Sequence, residues 1–337
     1  MKKLCIRLSV ILLFAILLPS CSPSLEAPPE EVGTKTGEKD AASEKNESKS
    51  SKEAEQKQDP KKEIMQKCDP AEDEVLNILM IGNSYCYYYV EELYGIAKAA
   101  GIDMKICNVY YSGCPLDKHL TWWRNGESNY QYFETNENGR IKYENYSLRR
   151  CLDRENWDVI TLQEGNGSYR RNGLDGIRKE VSCFGTLLDI IKEQFPKSRY
   201  YWHCTWVPQI GNYNASSNFR IETKEDEMAW QNAKITIARE LAEQYGVSII
   251  PTGQAWMDAR YNPVIGNKLC LRKAKPDDTS HDGDIGGGQY LNACVWFEML
   301  TGKSCIGNTW RPNYELSEEK IAILQQAAHK AVVAERG

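Results

Sequence analysis

Val75-Leu76-Asn77-Ile78-Leu79-Met80-Ile81-Gly82-Asn83-Ser84-Tyr85 is the stretch on which the reading of this chain turns. Apart from Asn77 the run to Ile81 is apolar, and a near-continuous apolar segment of this length predicts a strand buried on both faces of a parallel sheet. Gly82, Asn83 and Ser84 then stand at its carboxyl end. Loops at the carboxyl ends of open α/β sheets converge on a crevice, so a serine there is a nucleophile candidate. The same place also suits a helix N-cap, an ordinary role for serine after a strand.

Working outward, Val90 to Ala100 carries apolar residues at helical spacing with Gly101 as a stop. Asp103 to Tyr111 predicts a second strand ending at Ser112-Gly113-Cys114, and Pro115 opens a helix with His119, Trp122 and Trp123. Residues 130–143 read as an inserted hairpin around Asn138-Gly139, expected outside the main sheet. Trp157 to Leu162 is expected as a third strand, ending at Gln163-Glu164-Gly165-Asn166. A long helix over Ile177 to Gln194, a strand over Arg199 to Val207, a helix over Glu225 to Tyr245 and a strand over Val247 to Ile250 follow. Pro251 to Asp284 reads largely as loop, before helices over Gln289 to Leu300 and Ser317 to Glu335. Alternation of this kind predicts an α/β fold with a parallel five-stranded sheet covered by helices on both faces. Gly286-Gly287-Gly288 lacks the preceding strand and the Gly-Lys-Ser/Thr ending of a phosphate loop, and reads as a turn into a helix.

The N-terminal part belongs to another regime. Residues 1–20 place Lys2, Lys3 and Arg7 before an apolar run from Leu8 to Leu18, the order of an export signal, and too short for a comfortable membrane span. Leu18-Pro19-Ser20-Cys21 resembles the lipobox of bacterial lipoproteins, which implies lipidation of Cys21 and a membrane anchor. Residues 21–73 hold no aromatic side chain and are rich in Ser, Pro, Glu and Lys, so they predict a disordered tether with a span of roughly 40 Å. The folded domain is expected over residues 74–337, in the cell envelope as a lipid-anchored protein.

Net charge is −5 with no long basic run, which argues against nucleic acid and favours a neutral substrate. The 12 cysteines form no C-x-x-C pair and no His/Cys ligand spacing, so neither a metal nor another cofactor is expected. Asp277, Asp278 and Asp282 lie close together but lack the alternating oxygen ligands of an EF-hand.

A serine hydroxyl becomes a useful nucleophile only when a base takes its proton and a third group orients that base. Of the 4 histidines, His281 alone follows a carboxylate, Asp278, by three residues in a polar turn. His203 lies in a strand and His329 on the last helix, the latter expected in solvent, while His119 suits packing or substrate contact.

Ile81-Gly82-Asn83-Ser84, Gly113 in Ser-Gly-Cys-Pro-Leu, and Asp278-Thr279-Ser280-His281 stand in the order of three sequence blocks of the SGNH, or GDSL-like, hydrolases. Over about residues 75–305 the chain resembles that superfamily. The resemblance implies a three-layer α/β/α sandwich and a serine esterase in which Ser84 attacks, His281 is the base and Asp278 orients it. It also implies an oxyanion hole of the Ser84 and Gly113 amides and a side chain from Gln163, with Asn166 as the alternative. Asn83 stands where the commonest form has aspartate, a change expected to matter little. An acylated small molecule or glycan is the substrate class this suggests, with Tyr85, Tyr87, Tyr88, Tyr89, Trp122, Trp123 and Trp206 as candidate rim aromatics. The competing reading is a non-catalytic glycan-binding lipoprotein on the same fold.

Overall fold

A computed structural model describes residues 75–165, 169–208, 210, 213–214, 219–266, 269–270 and 285–337. The export signal, the tether and Cys21 lie outside the described residues.

Strand β1 (Leu76–Gly82) leads through a 3-10 turn (Ser84–Cys86) to helix α1 (Val90–Ala99), then β2 (Met104–Tyr110) and α2 (Leu116–Asn125). The hairpin β3 (Tyr130–Asn136) and β4 (Gly139–Tyr146) precedes α3 (Leu148–Leu152) and β5 (Val159–Leu162). Next come α4 (Tyr169–Glu180), α5 (Phe184–Gln194), β6 (Arg199–His203), a two-residue ladder of β7 (Tyr213–Asn214) with β8 (Phe219–Arg220), and α6 (Lys224–Tyr245). β9 (Ser248–Ile250), α7 (Thr252–Arg260), the short pair β10 (Leu269–Cys270) and β11 (Ile285–Gly286), α8 (Gly288–Thr301) and α9 (Glu318–Arg336) complete the domain.

The main sheet has the order β4-β3-β2-β1-β5-β6-β9. Its parallel part, β2-β1-β5-β6-β9, is the expected five strands. The hairpin, however, is not outside the sheet: β3 pairs antiparallel with β2, Ile106 against Thr135 through Tyr110 against Gln131, making a seven-stranded mixed sheet. The physical reason is burial. Tyr130, Tyr132 and Phe133 of β3 are covered, which an isolated hairpin in water could not achieve.

Period-two alternation distributes β1 between two cores. Ile78 and Met80 join Leu93, Ile96, Trp256, Val295, Trp296, Leu324 and Ala328, from α1, α7, α8 and α9. Leu79 and Ile81 join Leu116, Leu152, Phe184, Leu187, Ile237 and Leu241, from α2, α3, α5 and α6. The result is the three-layer α/β/α arrangement.

Three further expectations are corrected. The helix over Ile177 to Gln194 is two helices, because Ser182 donates its hydroxyl to Lys179 O at 2.8 Å and breaks the ladder between α4 and α5. The fourth strand stops at His203 rather than Val207. Thr252–Arg260 is helical although it falls in the stretch from Pro251 to Asp284 that reads largely as loop, and it holds Gly253. That glycine is required by contact: a Cβ there would stand 2.1 Å from Gln231 Nε2 and 2.7 Å from Thr205 O.

Gly95 of α1 is similarly covered by the Trp310 ring, whose Nε1 would lie 2.0 Å from an added Cβ. Trp310 in turn stacks on Tyr290 with ring centroids 6.1 Å apart. Gly95→Ala gains about 1 kcal/mol of helix propensity but forces the indole off its seat, an overpacking cost of about 1–3 kcal/mol. The expected net result is a lower urea midpoint with the slope unchanged; a raised midpoint would show that the indole repacks freely.

Candidate active site

The parallel register places three loops side by side. Ile81 pairs with Leu162, so the next residues, Gly82 and Gln163, are neighbours, while Gly82 pairs with Tyr110 on the other side. Contact between Gly82 and Gln163 is close enough to exclude a side chain: a Cβ on Gly82 would meet Gln163 Nε2 at 2.4 Å and its Cγ at 2.7 Å. Ser84, Gly113 and Gln163 therefore belong to loops at the carboxyl ends of β1, β2 and β5, three adjacent strands. Gly113 holds φ +62°, a left-handed turn that glycine adopts without cost.

Asn83, not Ser84, caps the short turn after β1. Its Oδ1 accepts the Tyr85 N–H at 3.1 Å, which leaves the Ser84 hydroxyl free of that duty. Its Nδ2 donates to Cys114 O at 3.0 Å, joining the Ser84 loop to the Gly113 loop. The expectation that asparagine merely substitutes for aspartate is thus incomplete, because a carboxylate can accept from Tyr85 but cannot donate to Cys114. With Asn83 only 3% exposed, Asn83→Asp loses a buried bond and sets a charge against a carbonyl, a cost of about 1–3 kcal/mol. A melting temperature lower by several degrees at pH 7 is expected from calorimetry. An unchanged one would mean that the Cys114 carbonyl has another donor.

Gln163 is 1% exposed, and among the described residues neither its Nε2 nor its Oε1 has a hydrogen-bond partner. Burying an amide in this condition costs on the order of 1–3 kcal/mol, so it calls for an explanation. Next to it, the Glu164 carboxylate accepts from Leu116 N–H and Gly165 N–H, each at 2.6 Å. Lys234 of α6 donates to Thr205 Oγ1 at 2.5 Å and Gly165 O at 3.4 Å, with its ammonium 5.8 Å from the Tyr85 ring centre. Burial raises the Glu164 carboxyl above its usual range against the pull of those two N–H groups, and burial likewise pushes the Lys234 ammonium down to about 8.

Neither charged group was singled out in the sequence, although Lys234 left a trace there. Trp230, Lys234, Ile237, Ala238 and Leu241 occupy one helical stripe, so a lysine sits in a core register.

Asp278, His281 and Asn166 lie outside the described residues. The three remaining histidines are committed elsewhere. His119 is fully buried, with Nδ1 2.8 Å from Tyr130 OH, and burial drives its imidazole down to about 3. His203 Nε2 is 2.7 Å from Thr252 Oγ1, inside the core, and burial holds it neutral. His329, expected in solvent, instead pairs with the buried Glu298 at 3.0 Å. Ser304 Oγ joins them, 3.5 Å from His329 Nδ1, but serine and carboxylate share that single nitrogen and no relay through the ring results. This cluster lies near the start of β6, where Arg199 donates to Leu300 O, at the opposite end of the sheet from Ser84.

Several of the rim aromatics are core. Tyr89, Trp122 and Trp206 are buried, and Trp206 stacks on Trp256 at 4.5 Å. Tyr85, Tyr87, Tyr88 and Trp123 are half-buried, with the Arg140 guanidinium 4.0 Å from the Tyr87 ring centre and Arg149 4.3 Å from that of Trp123. No group of three or more potential metal ligands occurs among the described residues. No helix among them is long and apolar enough to cross a membrane.

Comparison with known proteins adds a family. A DUF4886 family protein from Bacteroides uniformis is similar in structure, with TM-score 0.66 and 25% identity over 78% of this chain and 97% of that one. An acetyl-xylooligosaccharide esterase from Geobacillus Stearmophilus follows at TM-score 0.36 and 12% identity, covering 76% and 94% of the two chains. Phospholipase A1 from Streptomyces albidoflavus has TM-score 0.39 and 11% identity, covering 68% and 100%. No curated protein matches the chain. Residues 77–331 match the profile of DUF4886, a domain of unknown function, and the chain therefore belongs to that family.

Proposed function

We propose that this protein is a serine esterase that removes acetyl or another short acyl group from a carbohydrate or similar alcohol, held at a membrane through lipid on Cys21. The observation that carries the reading is the Gln163 amide, buried against Gly82 without a partner among the described residues. An amide poised in this way can donate to an oxyanion that exists only during reaction, which is where preorganised donors contribute most.

In the reaction, Ser84 Oγ attacks the ester carbonyl as His281 accepts its proton and Asp278 orients the imidazole. The carbonyl oxygen becomes an oxyanion, met by the Ser84 and Gly113 amides and Gln163 Nε2. Collapse expels the alcohol, which takes the proton from His281 and leaves acyl-Ser84. Water, deprotonated by His281, releases the carboxylic acid and restores the serine. The half-buried rings of Tyr85 and Tyr88 retain exposed surface for a sugar beside the serine, whereas the Tyr87 ring is covered by Arg140 and Tyr110.

Treatment of the full chain with a fluorophosphonate, followed by peptide mass spectrometry, tests the nucleophile. One phosphonyl adduct on the peptide containing Ser84 is expected, together with hydrolysis of an activated acetyl ester that a chelator does not inhibit. An adduct on another serine, or none, would overturn the assignment.

A further inference from the structure

Gly165 is gripped from both sides of its peptide links. Its N–H goes to Glu164 Oε1 and its carbonyl to Lys234 Nζ, and its Cα faces the nucleophile loop, since an added Cβ would lie 3.6 Å from Asn83 Nδ2 and 4.0 Å from Tyr85 Cε2. The second oxygen of Glu164 crosses to the neighbouring loop and takes the N–H of Leu116, the first residue of α2 after the Gly113 turn. Thr205 closes the ring, receiving Lys234 and donating to Glu164 O at 3.4 Å. One carboxylate thus links the 163–165 segment to the turn after Gly113, and one ammonium ties that segment to Thr205.

Such a pair is a costly way to stabilise a fold. Glu164 is 6% and Lys234 8% exposed, and replacing buried ions by apolar groups of similar volume is often neutral or stabilising. Their arrangement instead suits position-setting, because both Glu164 oxygens are spent on backbone N–H groups of the segments that carry the oxyanion donors, and Lys234 anchors the Gly165 carbonyl to Thr205.

We propose that Glu164 and Lys234 are positioning residues that hold the 163–165 segment and the Gly113–Leu116 turn at fixed separation, so that the Gln163 amide and the Gly113 N–H converge on one oxyanion. The proposal rests on the esterase reading above. An error of about 1 Å in such placement costs about 10²-fold in rate, and the loss falls on the chemical step. Substrate binding, which does not use the oxyanion contacts fully, changes little.

The test is steady-state hydrolysis of 4-nitrophenyl acetate by the full chain, comparing wild type with Lys234→Met, Lys234→Arg, Glu164→Gln and Glu164→Asp, with melting temperatures measured in parallel. Lys234→Met and Glu164→Gln are expected to lower kcat about 30- to 100-fold with KM within about threefold of wild type. Lys234→Arg, which retains a cation and donors, is expected to recover at least a third of the wild-type kcat. If Glu164→Gln does not fold, Glu164→Asp, which keeps the charge but shortens its reach, takes its place with the same expected loss of kcat. Variants within twofold of wild-type kcat, or a loss confined to KM, would overturn the positioning role while the esterase reading stands. A wild-type chain that neither hydrolyses the ester nor is phosphonylated at Ser84 would overturn both.

Discussion

Ser84→Ala is expected to lower kcat for an activated acetyl ester by about 10⁴- to 10⁶-fold, with the fold and the melting temperature retained. The reason for so large a loss is that covalent catalysis has no fallback. Without Oγ no acyl-enzyme forms, and the remaining donors accelerate only direct attack by water, which leaves a residual rate about 10³- to 10⁴-fold above the uncatalysed one. Little structural penalty is expected, because Asn83 already supplies the cap that the turn needs. Hydrolysis assays on the full chain beside fluorophosphonate labelling decide the matter. Equal rates in wild type and variant would remove Ser84 from the chemistry and leave glycan binding as the reading to pursue.

Raising the pH above 9 in the presence of reductant is expected to unfold the protein over about two pH units. Burial pushes the thiols of Cys86, Cys107 and Cys114 up to about 12 and that of Cys204 to about 11, and raises Cys151 as well, from an ordinary value of 9.0. All five are free and buried. Between pH 9 and these folded values the unfolded chain has released protons that the folded chain still holds. The unfolded state then binds fewer protons, and stability falls as pH rises. Each buried thiol contributes about 1.4 kcal/mol per pH unit in that window, against a total stability of about 5–15 kcal/mol. Lys234 works in the other direction between about 8 and 10.5, because its ammonium is depressed by burial, but it is one group against five. Calorimetry from pH 7.5 to 10.5 should find a melting temperature that is flat to about pH 8.5 and then drops steeply. A melting temperature unchanged at pH 10.5 would show that these thiols are not both free and buried in solution.

Much of this architecture is legible locally. An apolar run such as Val75–Ile81 can be satisfied only by burial on two faces, and Thr223 with Asp226 writes its own helix start: each side chain accepts the other residue's N–H, at 3.1 and 3.0 Å. Long-range covering is what the sequence does not display. The hairpin looks self-contained until β3 is seen on β2, and Thr252–Arg260 looks irregular until Gly253 is seen under Gln231. The candidate site divides along the same line. Gly82, Ser84 and Gly113 stand out by their places after strands, whereas the uses of Asn83, Glu164 and Lys234 depend on groups 31, 48 and 69 residues away in the chain.

By itself, then, the sequence determined the strand-and-helix alternation, the two-faced core strands and the serine at the end of the first of them, because each follows from side-chain periodicity and turn chemistry within a few residues. Tertiary structure alone decided that the sheet has seven strands, that Gln163 is buried beside Gly82 without a partner among the described residues, and that a carboxylate and an ammonium tie the loops together. Those outcomes depend on which distant backbone groups meet once the core has closed, and no local pattern encodes such a meeting.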